Sequence, residues 1–156
     1  SWGSFQYAGG ANTNVLYFTG TVPENAASDF RVESIEGTDF IKDMAAAYAA
    51  SDLVISRAGA GSISEFCLLH KPVVLVPSPN VAEDHQTKNA LALVDKQAAI
   101  YVKDSEAEAK LMDVALNTVA DDRKLKELSE NIAKLALPDS ARIIAQEVIK
   151  LAEAEN

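Results

Sequence analysis

At 156 residues, with 48% hydrophobic and 24% charged residues, the chain has the balance of one globular domain with a sizeable core. Its net charge of −9 speaks against nucleic-acid binding through a basic face and against attraction to anionic lipids. No apolar run approaches the ~20 residues of a membrane-spanning helix, and the first residues carry no basic-then-apolar leader. The single cysteine, Cys67, has no internal disulfide partner, which fits a reducing cytoplasm. An anionic ligand would have to be held by local dipoles, chiefly backbone N–H groups at helix N-termini.

In chain order, residues 1–14 (SWGSFQYAGGANTN) read as irregular, with glycines, asparagines and scattered aromatics but no period. Val15–Gly20 is a short apolar run that predicts a buried strand, residues 21–29 read as loop, and Phe30–Gly37 alternates weakly, as a strand or sheet edge would. The signals sharpen after Phe40. KDMAAAYAAS (42–51) predicts a short helix, DLVIS (52–56) a strand and GSISEFCLLHK (61–71) a helix. PVVLVPSP (72–79) predicts a strand with proline at its first position, where a missing N–H does least harm. DHQTKNALALVDKQ (84–97) predicts a helix and AAIYVKD (98–104) a strand, followed by three helices over Ser105–Ala120, Asp122–Ala136 and Ser140–Glu155. Leu125, Leu128, Ile132 and Leu135 make one apolar stripe, and Ile144, Val148 and Leu151 another. Pro138 separates these two helices, and Asp139 or Ser140 is placed to cap the last. Strands alternating with helices imply an α/β fold: a Rossmann-like parallel sheet, helices on both faces, ligands at the carboxyl ends of the strands.

The stretch SRAGAGSISE (56–65) leaves a strand at such an end. Gly59 and Gly61 permit positive φ and close backbone approach, while Ser62 and Ser64 are positioned to cap the next helix or donate hydroxyl hydrogen bonds. Glu65 falls in the expected first turn, where its carboxylate suits a vicinal diol such as that of a ribose. GAGSIS also looks like a degraded dinucleotide fingerprint, and the plain alternative is a capped helix with Glu65 favouring the dipole.

A second constellation, PSPNVAEDHQTKNA (77–90), follows the next strand and so lies at the same edge. Asp84 is a natural N-cap for a helix starting at His85, and His85, Gln86 and Asn89 share a face at spacings of three and four. Amides both donate and accept, which suits sugar hydroxyls. His85 alone reads equally as a surface imidazole and His70 as a helix-end residue; with no other histidine and no cysteine pair, no metal site is expected. A Ser–His–Asp hydrolase lacks its G-x-S-x-G elbow.

Together these residues carry a family resemblance. Asp39–Ala90, DFIKDMAAAYAASDLVISRAGAGSISEFCLLHKPVVLVPSPNVAEDHQTKNA, resembles the donor-binding half of the MurG family, the bacterial UDP-N-acetylglucosamine transferases that make lipid II. ALPDSARIIAQEVIKLA extends the resemblance, less specifically, so that it covers the chain from residue 39 onward.

The resemblance implies the carboxy-terminal domain of an inverting, metal-independent GT-B glycosyltransferase. It assigns Phe40 and Ile41 to the uracil, Ile41 through its backbone, with Met44 nearby. It lays Ala60, Gly61, Ser62, Ile63, Ser64 and Glu65 along the nucleotide, with Glu65 on the ribose hydroxyls and Ser62 facing the diphosphate or sugar. Gln86 and Asn89 fall to the N-acetylglucosamine; His85 stands where some relatives have glutamine.

No catalytic residue, cofactor or metal is expected in the chain. The base, the lipid I acceptor site and the membrane contact belong to the family's amino-terminal domain, and the full-length relative is peripheral on the cytoplasmic face of the inner membrane. The chain divides accordingly into a front segment, 1–38, atypical or truncated, and a UDP-sugar donor domain, 39–156. GGANTN (9–14) only faintly echoes the Gly-Gly-Ser phosphate loop with which such a domain begins. The departure at the front keeps two alternatives open: one subunit of a split glycosyltransferase of the eukaryotic kind, whose donor and membrane domains are separate chains, or an inactive nucleotide-sugar binding module. It also leaves room for self-association over an uncovered sheet edge.

Overall fold

A computed structural model of the chain describes residues 4–10, 13–19, 35–38, 41–79 and 84–154. A six-stranded sheet has the order β3-β1-β2-β4-β5-β6, formed by β1 (Ser4–Gly10), β2 (Thr13–Thr19), β3 (Ile35–Thr38), β4 (Leu53–Ser56), β5 (Val73–Leu75) and β6 (Ile100–Tyr101). The helices are α1 (Met44–Ala50), α2 (Ala60–Leu69), α3 (His85–Val94), α4 (Asp104–Val119), α5 (Asp122–Ala133) and α6 (Ser140–Ala154). The α/β class is as the sequence predicts. From β4 to β6 the strands are parallel and joined by helical crossovers.

The front differs from its reading. Residues read as irregular include β1, which pairs antiparallel with β2 from Ser4↔Thr19 to Gly10↔Thr13 and parallel with β3. β2 also runs against β4, so one strand departs from a uniformly parallel sheet. Gly9 and Gly10 end β1 and pair with Asn14 and Thr13, so the faint echo of a phosphate loop lies in a strand pair. β1 has too few apolar positions to show a period of its own; it is held by β2, which follows it after two residues, and by the more distant β3, and neither pairing is marked by a run of apolar residues in β1. The expected Phe30–Gly37 strand is described from Ile35 onward, at the sheet's edge.

Strand alternation sorts the core into two layers. Val54, Val73 and Leu75 face one side, where they meet Tyr48, Phe66, Cys67, Ala90, Leu93 and Ile132 from α1, α2, α3 and α5. Leu53, Ile55, Val74 and Val76 face the other, against Ala115 and Val119 of α4. Both faces of β4 and β5 are thus covered, which is why these strands read as continuous apolar runs. The stripe on α5 is buried at Leu128 and Ile132, whereas the stripe on α6 stays exposed at Ile144, Val148 and Leu151.

Candidate functional site

The carboxyl edge of β4 and β5 is where the chain concentrates its polar side-chain work. β4 ends at Ser56, and the chain passes through Arg57, Ala58 and Gly59 into α2. Gly59 is the N-cap in an extended conformation (φ −69°), and among the described residues no side chain caps the helix. Ser64 instead donates from Oγ to the Ala60 carbonyl at 3.0 Å. The expectation that Ser62 or Ser64 caps α2 therefore fails, because the helix starts before both of them. Among the described residues no side chain accepts from the N–H groups of the first helical turn, as an anion site would need.

The glycines also differ from their reading. Gly59 is not at positive φ, and a Cβ built on Gly59 or Gly61 would meet nothing within 4 Å. The turn itself does not demand glycine; what glycine leaves here is bare backbone with open space above it. Glu65 lies in the second turn, since α2 begins at Ala60 and carries no acidic residue in its first turn. A carboxylate there is too deep in the helix to serve chiefly as a partner of the dipole. Its Oε2 accepts a hydrogen bond from the Tyr48 hydroxyl at 2.9 Å.

The second constellation closes onto the first. Gln86 Oε1 accepts from the backbone N–H of Ala58 (3.2 Å) and of Ser78 (2.9 Å), and Asn89 Nδ2 donates to the Ala58 carbonyl (3.2 Å). Two N–H donors on one atom fix the amide orientation: the oxygen faces the backbone. Asp84 is at the N-cap as predicted, but in the left-handed region (φ 52°), and it accepts from Thr87 Oγ1 at 2.6 Å rather than from a backbone N–H. His85 is the exposed first residue of α3.

Ile41 and Met44 pack against the edge of the α1–α2 core, with Met44 opening α1 behind an Asp43 cap that accepts from Ala46 N–H at 2.9 Å. Phe40 lies outside the described residues. Gln86 and Asn89 thus meet the exits of β4 and β5 beside the start of α2 at Ala60, while Glu65, farther along α2, meets α1 at Tyr48, and Ile41, Met44 and Ile63 pack against the core beneath. His70 caps the far end of α2 in the left-handed region (φ 55°), away from this edge.

Sequence reasoning passed over two residues. Arg57 forms an ion pair with Asp104 at the start of α4 and donates to the carbonyls of Val76 (3.2 Å) and Pro77 (3.4 Å), tying the exits of β4 and β5 to α4. Tyr48 is buried at 6% exposure apart from its link to Glu65. The available signals were a cation directly after an apolar strand and a lone aromatic in an alanine-rich helix. Burial pushes the Cys67 thiol above its ordinary pKa. Among the described residues there is no cluster of His, Cys, Asp and Glu that could hold a metal.

A largely parallel α/β sheet with helical crossovers, and with two helix starts at the carboxyl ends of β4 and β5, is a Rossmann-like fold. The chain belongs to the glycosyltransferase family 28 C-terminal domain family, whose profile matches residues 4–144.

Over 140 residues it is 87% identical to the UDP-N-acetylglucosamine–N-acetylmuramyl-(pentapeptide) pyrophosphoryl-undecaprenol N-acetylglucosamine transferase of Bacteroides thetaiotaomicron, a match covering 90% of this chain and 38% of that protein. The protein of the same name from Bacteroides fragilis is 84% identical over 116 residues, 74% of this chain and 30% of that protein. Among solved structures, Acinetobacter baumannii MurG superposes with a TM-score of 0.69 at 32% identity, over 75% of this chain and 35% of that one. The chain thus spans well under half the length of the relatives it matches.

Proposed function

We propose that this chain is the donor-binding domain of a UDP-N-acetylglucosamine transferase that converts lipid I to lipid II in peptidoglycan synthesis. The observation that carries the reading is the bracing of Gln86 and Asn89 against the Ala58 backbone beside the uncapped start of α2. That bracing spends the Gln86 oxygen and the Asn89 nitrogen on the protein and leaves Gln86 Nε2 to donate to, and Asn89 Oδ1 to accept from, sugar hydroxyls. In the same frame Glu65 receives the ribose hydroxyls, the α2 N–H groups receive the diphosphate, and Ile41 and Met44 flank the base, together with Phe40.

The chemistry follows from that placement. The acceptor hydroxyl attacks the anomeric carbon while the bond to UDP breaks. Charge developing on the departing diphosphate is met by fixed N–H dipoles that need no reorganisation. The general base and the lipid-linked acceptor site belong to the rest of the protein, as does the contact with the cytoplasmic membrane face. The sugar nucleotide enters as substrate, with no cofactor assigned.

Calorimetry with UDP-N-acetylglucosamine tests the reading. Replacing Glu65 by alanine removes hydrogen bonds to a charged group, worth about 1.5–3 kcal/mol, so affinity should fall roughly ten- to hundredfold. An unchanged affinity in Glu65→Ala, or no binding by the folded wild-type protein, overturns it.

A further inference from the structure

Tyr48 occupies an unusual position for a core aromatic. Its ring stands edge-on to Phe66, with centroids 6.0 Å apart and planes at 83°, and its hydroxyl leaves the core between α1 and α2 to reach Glu65 Oε2 at 2.9 Å. The backbone behind it is pinned. Ser51 donates to the Tyr48 carbonyl from both Oγ (3.0 Å) and N–H (3.3 Å), and Lys71 Nζ in turn donates to the Ser51 carbonyl at 2.9 Å. Glu65 itself is an exposed residue of α2. Its carboxylate borders an open cleft of about 370 Å³ along the α1–α2 seam, walled by Met44, Tyr48, Leu69 and Lys71. An exposed glutamate of this kind samples several rotamers, and fixing it on ligand arrival costs entropy. Here a rigid, buried ring carries a donor to one of its oxygens. A carboxylate has about four acceptor positions, so one bond from tyrosine leaves room for two further hydroxyls.

We infer that Tyr48 is a positioning residue for donor recognition: its hydroxyl holds the Glu65 carboxylate in the orientation that accepts a vicinal diol. It thereby sets the preference for ribonucleoside over dideoxyribonucleoside diphosphates. The inference rests on the reading of Glu65 given under the proposed function.

Tyr48→Phe removes one oxygen and keeps the ring and its contact with Phe66. Glu65 is an exposed residue, so its released carboxylate can turn to water and folding should be little affected. The ligands are UDP and 2′,3′-dideoxy-UDP, titrated into the intact protein, its Tyr48→Phe and Glu65→Ala variants, and the double variant. The expected result is a three- to tenfold loss of affinity for UDP in Tyr48→Phe, no change for dideoxy-UDP, and no added effect of Tyr48→Phe in the Glu65→Ala background. Both ligands are read on one preparation, so a reduced folded fraction cancels from their ratio. A Tyr48→Phe variant that loses affinity equally for both ligands, or for neither, while Glu65→Ala still lowers the ratio of UDP to dideoxy-UDP affinity, overturns the inference and leaves the ribose reading intact. If Glu65→Ala itself leaves the UDP to dideoxy-UDP ratio unchanged, the ribose reading fails, and the role of Tyr48 fails with it.

Discussion

Gln86 has two tasks that a single substitution can separate. As an acceptor it satisfies two backbone N–H groups at the ends of β4 and β5; as a donor it has Nε2 to offer. Gln86→Ala leaves both N–H groups short of a partner and should cost about 1–3 kcal/mol of stability. Gln86→Glu keeps the acceptor and strengthens it by charge, so unfolding should move by less than about 1 kcal/mol. The same change removes the donor and sets a negative charge near a diphosphate, so UDP-N-acetylglucosamine affinity should drop roughly tenfold or more. Denaturant unfolding beside calorimetry separates the two; equal losses of stability in both variants would contradict the assignment of atoms.

Sequence reading singled out the amide pair, the carboxylate and the glycine-serine turn; in the fold the amides meet the Ala58 backbone just before the turn, and the carboxylate meets Tyr48 of α1. Their local geometry was less legible. The helix start at Ala60, two residues before the first serine, moves Glu65 into the second turn. Arg57 and Tyr48 act through partners 47 and 17 residues away, separations that no local pattern encodes.

At the scale of elements, burial separates helices that look alike in sequence. Both α5 and α6 carry apolar stripes, yet Ile132 is 0% exposed and Ile144 is 64% exposed. Ile132→Ala should therefore cost about 2–5 kcal/mol through lost transfer energy and the cavity it leaves. Ile144→Ala should change unfolding of this chain by no more than about 0.5 kcal/mol. Chemical denaturation of the two variants checks the contrast, and comparable losses would mean that α6 is packed.

The helices from Met44 to Ala154, and β4, fall close to their sequence-based bounds because glycine, proline and aspartate punctuate apolar runs of clear period, whereas β5 (Val73–Leu75) and β6 (Ile100–Tyr101) are much shorter than the strands read over 72–79 and 98–104. Helix ends were read up to three residues long, as at Ala136 against the observed Ala133, because local pattern does not mark where the last hydrogen bond closes. The amphipathic period of α6 was equally legible. What covers such a stripe is a tertiary matter, and periodicity alone does not decide it.

At the scale of the whole molecule, a net charge of −9 coexists with a proposed ligand carrying a diphosphate. The two are compatible only if binding is local, through the oriented N–H groups of α2 rather than a basic surface. A buried proton gives a further whole-chain expectation. The Cys67 thiol is raised by burial, so the folded chain holds that proton more tightly than the unfolded one. The corresponding stabilisation is complete below the unfolded thiol's pKa and is lost as pH rises through the folded one. Wild type minus Cys67→Ala unfolding free energies should therefore decline across the alkaline range and stay flat at neutral pH. At neutral pH, labelling by a thiol reagent should track unfolding; rapid labelling of the native chain would contradict that.

The central claim is that a UDP-sugar lies along the carboxyl edge of β4 and β5. The most direct measurement is a titration of the isotope-labelled protein with UDP-N-acetylglucosamine, followed by backbone amide NMR. The account predicts saturable shifts concentrated at Ala58 to Glu65 and at Ser78, Gln86 and Asn89, with α4 and α6 unmoved. Saturable shifts centred elsewhere, or none at millimolar ligand, would contradict it.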